Sequence, residues 1–461
     1  MRVPVAIVGG GITGLAAAQR LAERGASFLL LEAEERLGGK IRTERVEGFV
    51  LEGGPDCFLS IKPAGLALCR ALGIEDRLQG TDPAFARAFV KRKGRLHELP
   101  EGMSGLVPSR ILPLLTTPLL SPLGRLRAAV EPLVPARRTG ADETIASFAS
   151  RRLGRETYEW LVEPLLSGIY AGDGRALSLE ATFPQLAALE RERGSLLRAM
   201  VRRPRSGRGT VPPPFVTPRG GLGEIVEAVA SRLPRESLRL GAAVERLEEE
   251  GDGFRLHLAG GEGIACDSVL LATPAFAAAK TLGPLDADLA RALSEIPFVS
   301  TATVSLAFPA PAVPRRLDGY GYLSPRAEGG PLVACTWTSN KFPARVPAGH
   351  VLVRLFLGRA GMEGVLRRED EELLAFARRE LEALFGISAP PSLERVFRWP
   401  RGMPQYTVGH RARLERIERL LAGHPGLHLA GCSYRGVGIP DCIASGWGAA
   451  DAVLRSARVV A

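Results

Sequence analysis

Gly9, Gly11 and Gly14 stand in the spacing GxGxxG within "IVGGGITGL", and Glu32 follows Gly11 by 21 residues. This combination is suited to holding a dinucleotide. The first glycine permits a tight turn, the second lets backbone approach a pyrophosphate with no side chain in the way, and the third lets helix and strand pack closely. The interleaved Gly10, Ile12 and Thr13 sit where a helix N-terminus offers free N–H groups and about half a positive charge to phosphates. Glu32, followed by Ala33, is placed to accept from a ribose hydroxyl. The competing reading, a glycine-rich structural turn, is disfavoured because strand, helix and acid all accompany the motif.

The elements around the motif are those it requires. Residues 3–8 form a short apolar run, the mark of a buried parallel strand. Residues 13–24 read as a helix with Ala16, Ala17 and Ala18 on its packing side, Gly25 ends it, and residues 28–31 read as the second strand.

A second glycine station follows in "RLGGK", where Gly38 and Gly39 allow another close backbone approach and Arg36 and Lys40 supply charge. A nicotinamide cofactor has no evident use for it. The stretch resembles the "ERxGGR" element of the FAD-dependent amine oxidase superfamily, which implies FAD. Lys40 stands where arginine is usual, keeping charge but losing the bidentate fork.

Further along, residues 48–55 read as a strand, 91–99 and 243–258 as hairpins, and 104–203 as largely helical. Strands at 268–274, 299–308, 331–338 and 350–357 suggest buried and mixed sheets, followed by an amphipathic helix at 369–385, a last parallel strand at 426–431 and a closing helix at 439–454. The expected fold class is α/β. A discontinuous Rossmann-like, glutathione reductase-like FAD-binding domain comprises 1–85, 215–275 and 423–461. A mixed-sheet substrate domain comprises 86–103 and 276–422, and a helical subdomain at 104–205 is inserted.

The chain has 461 residues, 46% apolar and 24% charged, with a formal net charge of +10. The basic residues are scattered and no nucleic-acid motif accompanies them, so nucleic acid is not an expected partner. Six cysteines form no CxxC and no zinc spacing, which fits reduced thiols in a cytoplasm. His424 and His428 flank Pro425 and Gly426, which reads as a loop, and no metal is expected. The chain begins almost at once with a strand, so no signal peptide is read. The apolar stretch 111–120 is too short to span a bilayer and is twice broken by proline. Residues 202–214, "RRPRSGRGTVPPP", read as a solvated loop, with contact to anionic lipid as the sharper alternative.

The segments "GPDCFLS", "SGIYAGD", "ATFPQLAALER", "FRWPRGMPQY" and "YRGVGIPDCI" occur in order along the chain. Together they resemble the oxygen-dependent porphyrinogen oxidases of haem biosynthesis: the protoporphyrinogen oxidases and the bacterial coproporphyrinogen III oxidases, with a lean toward the latter. The resemblance implies FAD contacts at Gly9 to Gly14, Glu32, Ala33, Arg36, Gly39 and Lys40. It also implies contacts at the turn of Gly53, Gly54, Pro55 and Asp56, at Val244 and Trp399, and at Val437, Gly438 and Ile439. On the residues alone, Trp399 and Val244 are equally well read as packing. Lys62 and Arg87 are the positional matches for cations facing a substrate propionate, against the plain reading of exposed surface charges.

The implied reaction is removal of six electrons and six protons from a porphyrinogen, with O2 reoxidising the flavin to give hydrogen peroxide. No nucleophile is expected, and no catalytic acid or base is identified. The rivals are another flavin oxidase, such as an amine oxidase or carotenoid desaturase, and a non-catalytic carrier of porphyrins. Residues 106–135 read as a helical lid, or as a surface for a peripheral membrane contact or hand-off to the next haem-pathway enzyme.

Overall fold

The computed structural model describes residues 2–104, 107–108, 111–137, 140–201, 213–315 and 318–455. Strand β1 (Arg2–Val8) enters helix α1 (Ile12–Glu23) through the glycine turn and returns as β2 (Leu29–Leu31). Gly25 ends the helix with φ +69°, the left-handed backbone for which glycine carries no Cβ penalty.

These elements lie in a seven-stranded sheet. Leu238–Arg239, β2, β1 and Gly263–Leu271 run parallel in that order, and Leu427–Leu429 pairs parallel with residues 269–271. The antiparallel hairpin of Val244–Glu250 and Gly253–Leu258 takes the remaining length of the Gly263–Leu271 edge. Val8 pairs with both Leu31 and Leu271, and Leu271 with Leu429, so the parallel strands end at one level. An open parallel sheet places its ligand at such a common carboxyl end.

The sheet is covered on both faces. Val5 and Ile7 pack with α1, Pro63–Ala71, Gly223–Ala230 and the C-terminal helix Ile439–Arg455. Val3, Ala6 and Val8 pack with Ala275–Leu282, Ala287–Ser294 and His410–Leu421. Residues 275–294 and 410–421 therefore pack in the core of this first sheet, although the sequence reading groups almost all of them with the second. The sheet's far face is a row of apolar side chains, and these helices supply the apolar surface that covers it.

The second sheet also has seven strands, ordered Leu393–Pro404, Phe298–Pro309, His350–Leu357, Leu332–Trp337, Gly321–Leu323, Phe89–Arg92 and Arg95–Glu98. Val304, Leu306, Val353 and Leu355 on one face pack against helix Asp370–Phe385. The strand Leu393–Pro404, which sequence reading left as a motif without an element, runs through Pro400 and lies at the sheet edge, where a missing N–H costs no ladder bond.

The helical part gathers Ile145, Phe148, Tyr158, Leu166, Tyr170 and Leu196 into a separate cluster that also takes in Tyr406. Short helices Ile111–Thr116 and Pro122–Ala129 and the 3-10 turn Glu131–Leu133 leave Leu112, Leu123, Leu126 and Leu133 exposed. The basic stretch at 202–214 lies, through residue 212, outside the described residues. Among the described residues no helix is long and apolar enough to cross a membrane.

Candidate cofactor and substrate site

The two glycine stations meet. Gly38 N–H donates to the Gly10 carbonyl at 2.8 Å, and a Cβ on Gly39 would stand 3.2 Å from the Cα of Gly11. The glycines of the motif have different surroundings. A Cβ on Gly14 would lie 1.9 Å from the Gly9 carbonyl oxygen, whereas one on Gly11 would meet nothing within 4 Å. Gly14 is thus required for helix-to-strand contact, and Gly11 faces open space where a phosphate can approach. Ile12 and Thr13 are buried at the helix N-terminus.

Glu32 accepts from Gly10 N–H at 2.6 Å and from Glu34 N–H at 2.9 Å, which holds its carboxylate beside the motif at the end of β2. Ala33 is exposed next to it. Val244 begins the neighbouring hairpin opposite Leu258, two residues after Ala242, whose N–H donates to the Glu32 carbonyl at 2.7 Å. The Arg36 guanidinium donates to the carbonyls of Gly39 at 2.7 Å and Ile41 at 3.3 Å, so it braces its own loop.

The wall continues through Lys40. A Cβ on Gly54 would lie 1.9 Å from the Lys40 carbonyl oxygen and 3.6 Å from the Trp399 ring. Lys40 Nζ is 3.4 Å from Cys432 Sγ. The contact with Cys442 pulls the Cys432 thiol down against burial, with Lys40 assisting, and pushes Cys442 upward.

The 53–56 turn is held by its carbonyls. Gly53 O accepts from Thr303 Oγ1 at 2.9 Å and Trp399 Nε1 at 2.8 Å, Gly54 O accepts from Arg354, and Asp56 O accepts from Arg345 Nη2 at 3.0 Å. The N–H groups of Gly54, Asp56 and Cys57 have no acceptor among the described residues. Pro55 has none to offer. A turn with anchored carbonyls and unused donors fits the acceptor-rich edge of a flavin.

At the other end of the wall, Tyr406 bridges the loop before the last helix. Its hydroxyl donates to the Cys432 carbonyl at 2.6 Å and accepts from Gly436 N–H at 2.8 Å. Val437 is half-buried against the helical cluster, Gly438 N–H donates to Asp441 Oδ2 at 3.2 Å, and Ile439 opens the helix. His410 stacks on Tyr406 with ring centroids 4.2 Å apart, and its Nε2 faces the Tyr434 carbonyl at 2.9 Å. Burial lowers the imidazole to about 4, outweighing the Tyr434 bond, with Arg413 and Arg435 adding to the depression.

Both expected propionate cations are paired in this structure. Lys62 Nζ lies 2.6 Å from Asp441, and Arg87 lies 2.6 Å from Asp318 in an exposed pair. Neither stands as a free rim cation. The sheet face that carries Thr301 and Trp399 also carries Phe356, Thr336 and the buried Thr303 and Arg354 by register, and its half-buried members Thr301, Thr336, Phe356 and Trp399 lie beside the turn, which sequence reading did not identify. Among the described residues no group of three metal-ligating side chains occurs.

The profile of the family described as flavin containing amine oxidoreductase matches residues 12–454. A coproporphyrinogen III oxidase of Bacillus subtilis is 37% identical, covering 96% of each chain. The chloroplastic protoporphyrinogen oxidase of Oryza sativa is 32% identical over 95% of this chain and 85% of its own. A crystal structure from Exiguobacterium sp. 255-15 shares 34% identity with a TM-score of 0.86, covering 98% of each chain.

Proposed function

The chain belongs to the flavin containing amine oxidoreductase family, and from that membership we propose that it binds FAD and oxidises a porphyrinogen to a porphyrin, with coproporphyrinogen III as its substrate and O2 as acceptor. The observation that carries this reading is near-full-length similarity to a coproporphyrinogen III oxidase, in a chain whose two glycine stations, 53–56 turn and 436–439 loop form one wall.

The residues fit FAD. Gly11, Ile12 and Thr13 would hold the pyrophosphate at the helix N-terminus, Glu32 and Val244 the adenosine side, and the 53–56 turn with Trp399 the ring. Bound FAD supplies the acceptor for hydride from a macrocycle carbon and returns electrons to O2, giving hydrogen peroxide. The chain's own part is to orient the macrocycle and exclude water. No side chain is assigned as acid or base.

The substrate is a broad disc with acidic edges, and the half-buried Phe356–Trp399 surface suits its apolar face. Exposed Leu112, Leu123, Leu126 and Leu133 support a peripheral membrane contact, a surface that vesicle sedimentation tests. Similarity to the rice enzyme supports protoporphyrinogen as the second reading. Purified yellow protein given each porphyrinogen in air should produce porphyrin fluorescence faster from coproporphyrinogen. Neither substrate reacting beyond the protein-free blank sinks the proposal. Oxygen uptake separates an enzyme from a carrier.

A further inference from the structure

Behind the 53–56 turn lies a buried group of five charges. Lys341 Nζ is 3.0 Å from Asp56, and Arg345 Nη2 is 3.2 Å from Glu52 and 2.5 Å from Thr217 Oγ1. Arg354, one strand away from Ser305, donates to the Gly54 carbonyl. Arg345 and Arg354 are almost wholly buried, and the Nε and Nη1 atoms of both have no hydrogen-bond partner among the described residues. Three cations face two carboxylates.

This imbalance is unusual for a group out of water. An unpaired buried charge is costly and persists only where the surroundings or function require it. Aromatic faces offset part of the cost, with the Arg345 guanidinium 4.8 Å from the Phe342 ring centre and that of Arg354 4.6 Å from the Phe356 ring centre. Burial works against ionised Asp56, yet Lys341 and Arg354 hold it well below the usual carboxylate range. Burial raises Glu52 despite Arg345, and any protonation there enlarges the positive excess.

We propose that Arg354 and Arg345 are positioning and electrostatic residues for the flavin: they turn the Gly54 and Asp56 carbonyls away from the ring and place uncompensated positive charge behind it, favouring its electron-rich reduced form. This deepens the functional reading and rests on its placing of the flavin ring along the 53–56 turn. Neighbouring buried charge acts strongly because the local dielectric is low.

The test uses FAD-loaded protein and two readouts, the dissociation constant for sulfite, which adds to oxidised flavin as an anion, and the two-electron midpoint potential. Arg354→Gln should weaken sulfite binding about tenfold and lower the two-electron equilibrium constant about tenfold, ~30 mV. Arg354→Lys keeps the charge and should stay within about threefold of the parent. Asp56→Asn removes an opposing charge and should shift both readouts the other way, which keeps the inference testable if Arg354→Gln does not fold. Equal loss in the Gln and Lys variants, or unchanged sulfite affinity in Asp56→Asn, overturns the electrostatic role. A parent protein that takes up no flavin defeats the functional reading instead.

Discussion

Lys62 Nζ sits 2.6 Å from Asp441 Oδ2, joining the residues after the 53–56 turn to the first turn of the C-terminal helix. Asp441 also accepts from Gly438 N–H, so one carboxylate ties Lys62 to the loop before the last helix. On the proposed reading, a propionate bound at Lys62 would compete with Asp441.

Lys62→Ala should therefore raise the Michaelis constant for coproporphyrinogen about tenfold, the size of one charge-assisted hydrogen bond, with turnover little changed. Asp441→Asn should release Lys62 and lower that constant. Arg87→Ala should have a smaller effect than Lys62→Ala, because its pair with Asp318 is exposed on both sides. Steady-state kinetics on the three variants decides; identical constants throughout remove both cations from the substrate site.

Gly11→Val and Gly14→Val should fail differently. The Gly11 side chain would enter open space, so the variant should fold and remain colourless. The Gly14 side chain would collide with the Gly9 carbonyl, so that variant should lose several kcal/mol of stability, as overpacking against fixed backbone does. Flavin absorbance and thermal unfolding together separate them, and a yellow Gly11→Val protein refutes the pyrophosphate assignment.

Tyr406→Phe should loosen the loop before the last helix. It leaves the Cys432 carbonyl and Gly436 N–H without their shared partner, at a cost of about 1–3 kcal/mol. The dissociation constant for FAD should rise about tenfold, read from flavin fluorescence after ultrafiltration. Undiminished retention would show that the bridge does not support the cofactor.

Acid should weaken the fold through His410. Its imidazole is about 4 in the folded chain, because burial among Tyr406, Arg413 and Arg435 outweighs the bond to the Tyr434 carbonyl. The unfolded imidazole binds its proton near 6.5. Between these values the unfolded state holds more protons, so stability is fully present above about pH 6.5 and declines as pH falls toward 4. The loss from pH 7 to 5 should be about 2 kcal/mol, measured by urea unfolding. His410→Phe should flatten that slope; an unchanged slope assigns it to other groups.

Much of the architecture could be read from residue order. The first strand, helix and second strand lie within a residue or so of expectation, because glycine punctuation and an unbroken apolar run coincide there. Gly251 marks the turn of the hairpin expected at 243–258, between strands Val244–Glu250 and Gly253–Leu258. What escaped was long-range. Pro400 hid an edge strand, since only its position in the sheet shows that the missing N–H does no harm. Nothing local says that the helices at 275–294 cover the first sheet. The buried cations had one faint signal, Arg354 inside the apolar run "VLVRLF", where a charge implies a buried partner. Its partners come from residues 52–56 and 341–345, too distant in the chain to be paired by spacing.

The cradle has a temporal consequence. Its stations are scattered from Gly9 to Ile439, and Leu427–Leu429 zips onto residues 269–271 to bring the last one into place. During vectorial synthesis the glycine turn emerges first, and the strand Leu427–Leu429 and helix Ile439–Arg455 follow last among the described elements. Until then the 269–271 edge is bare, a template for improper pairing with other nascent chains.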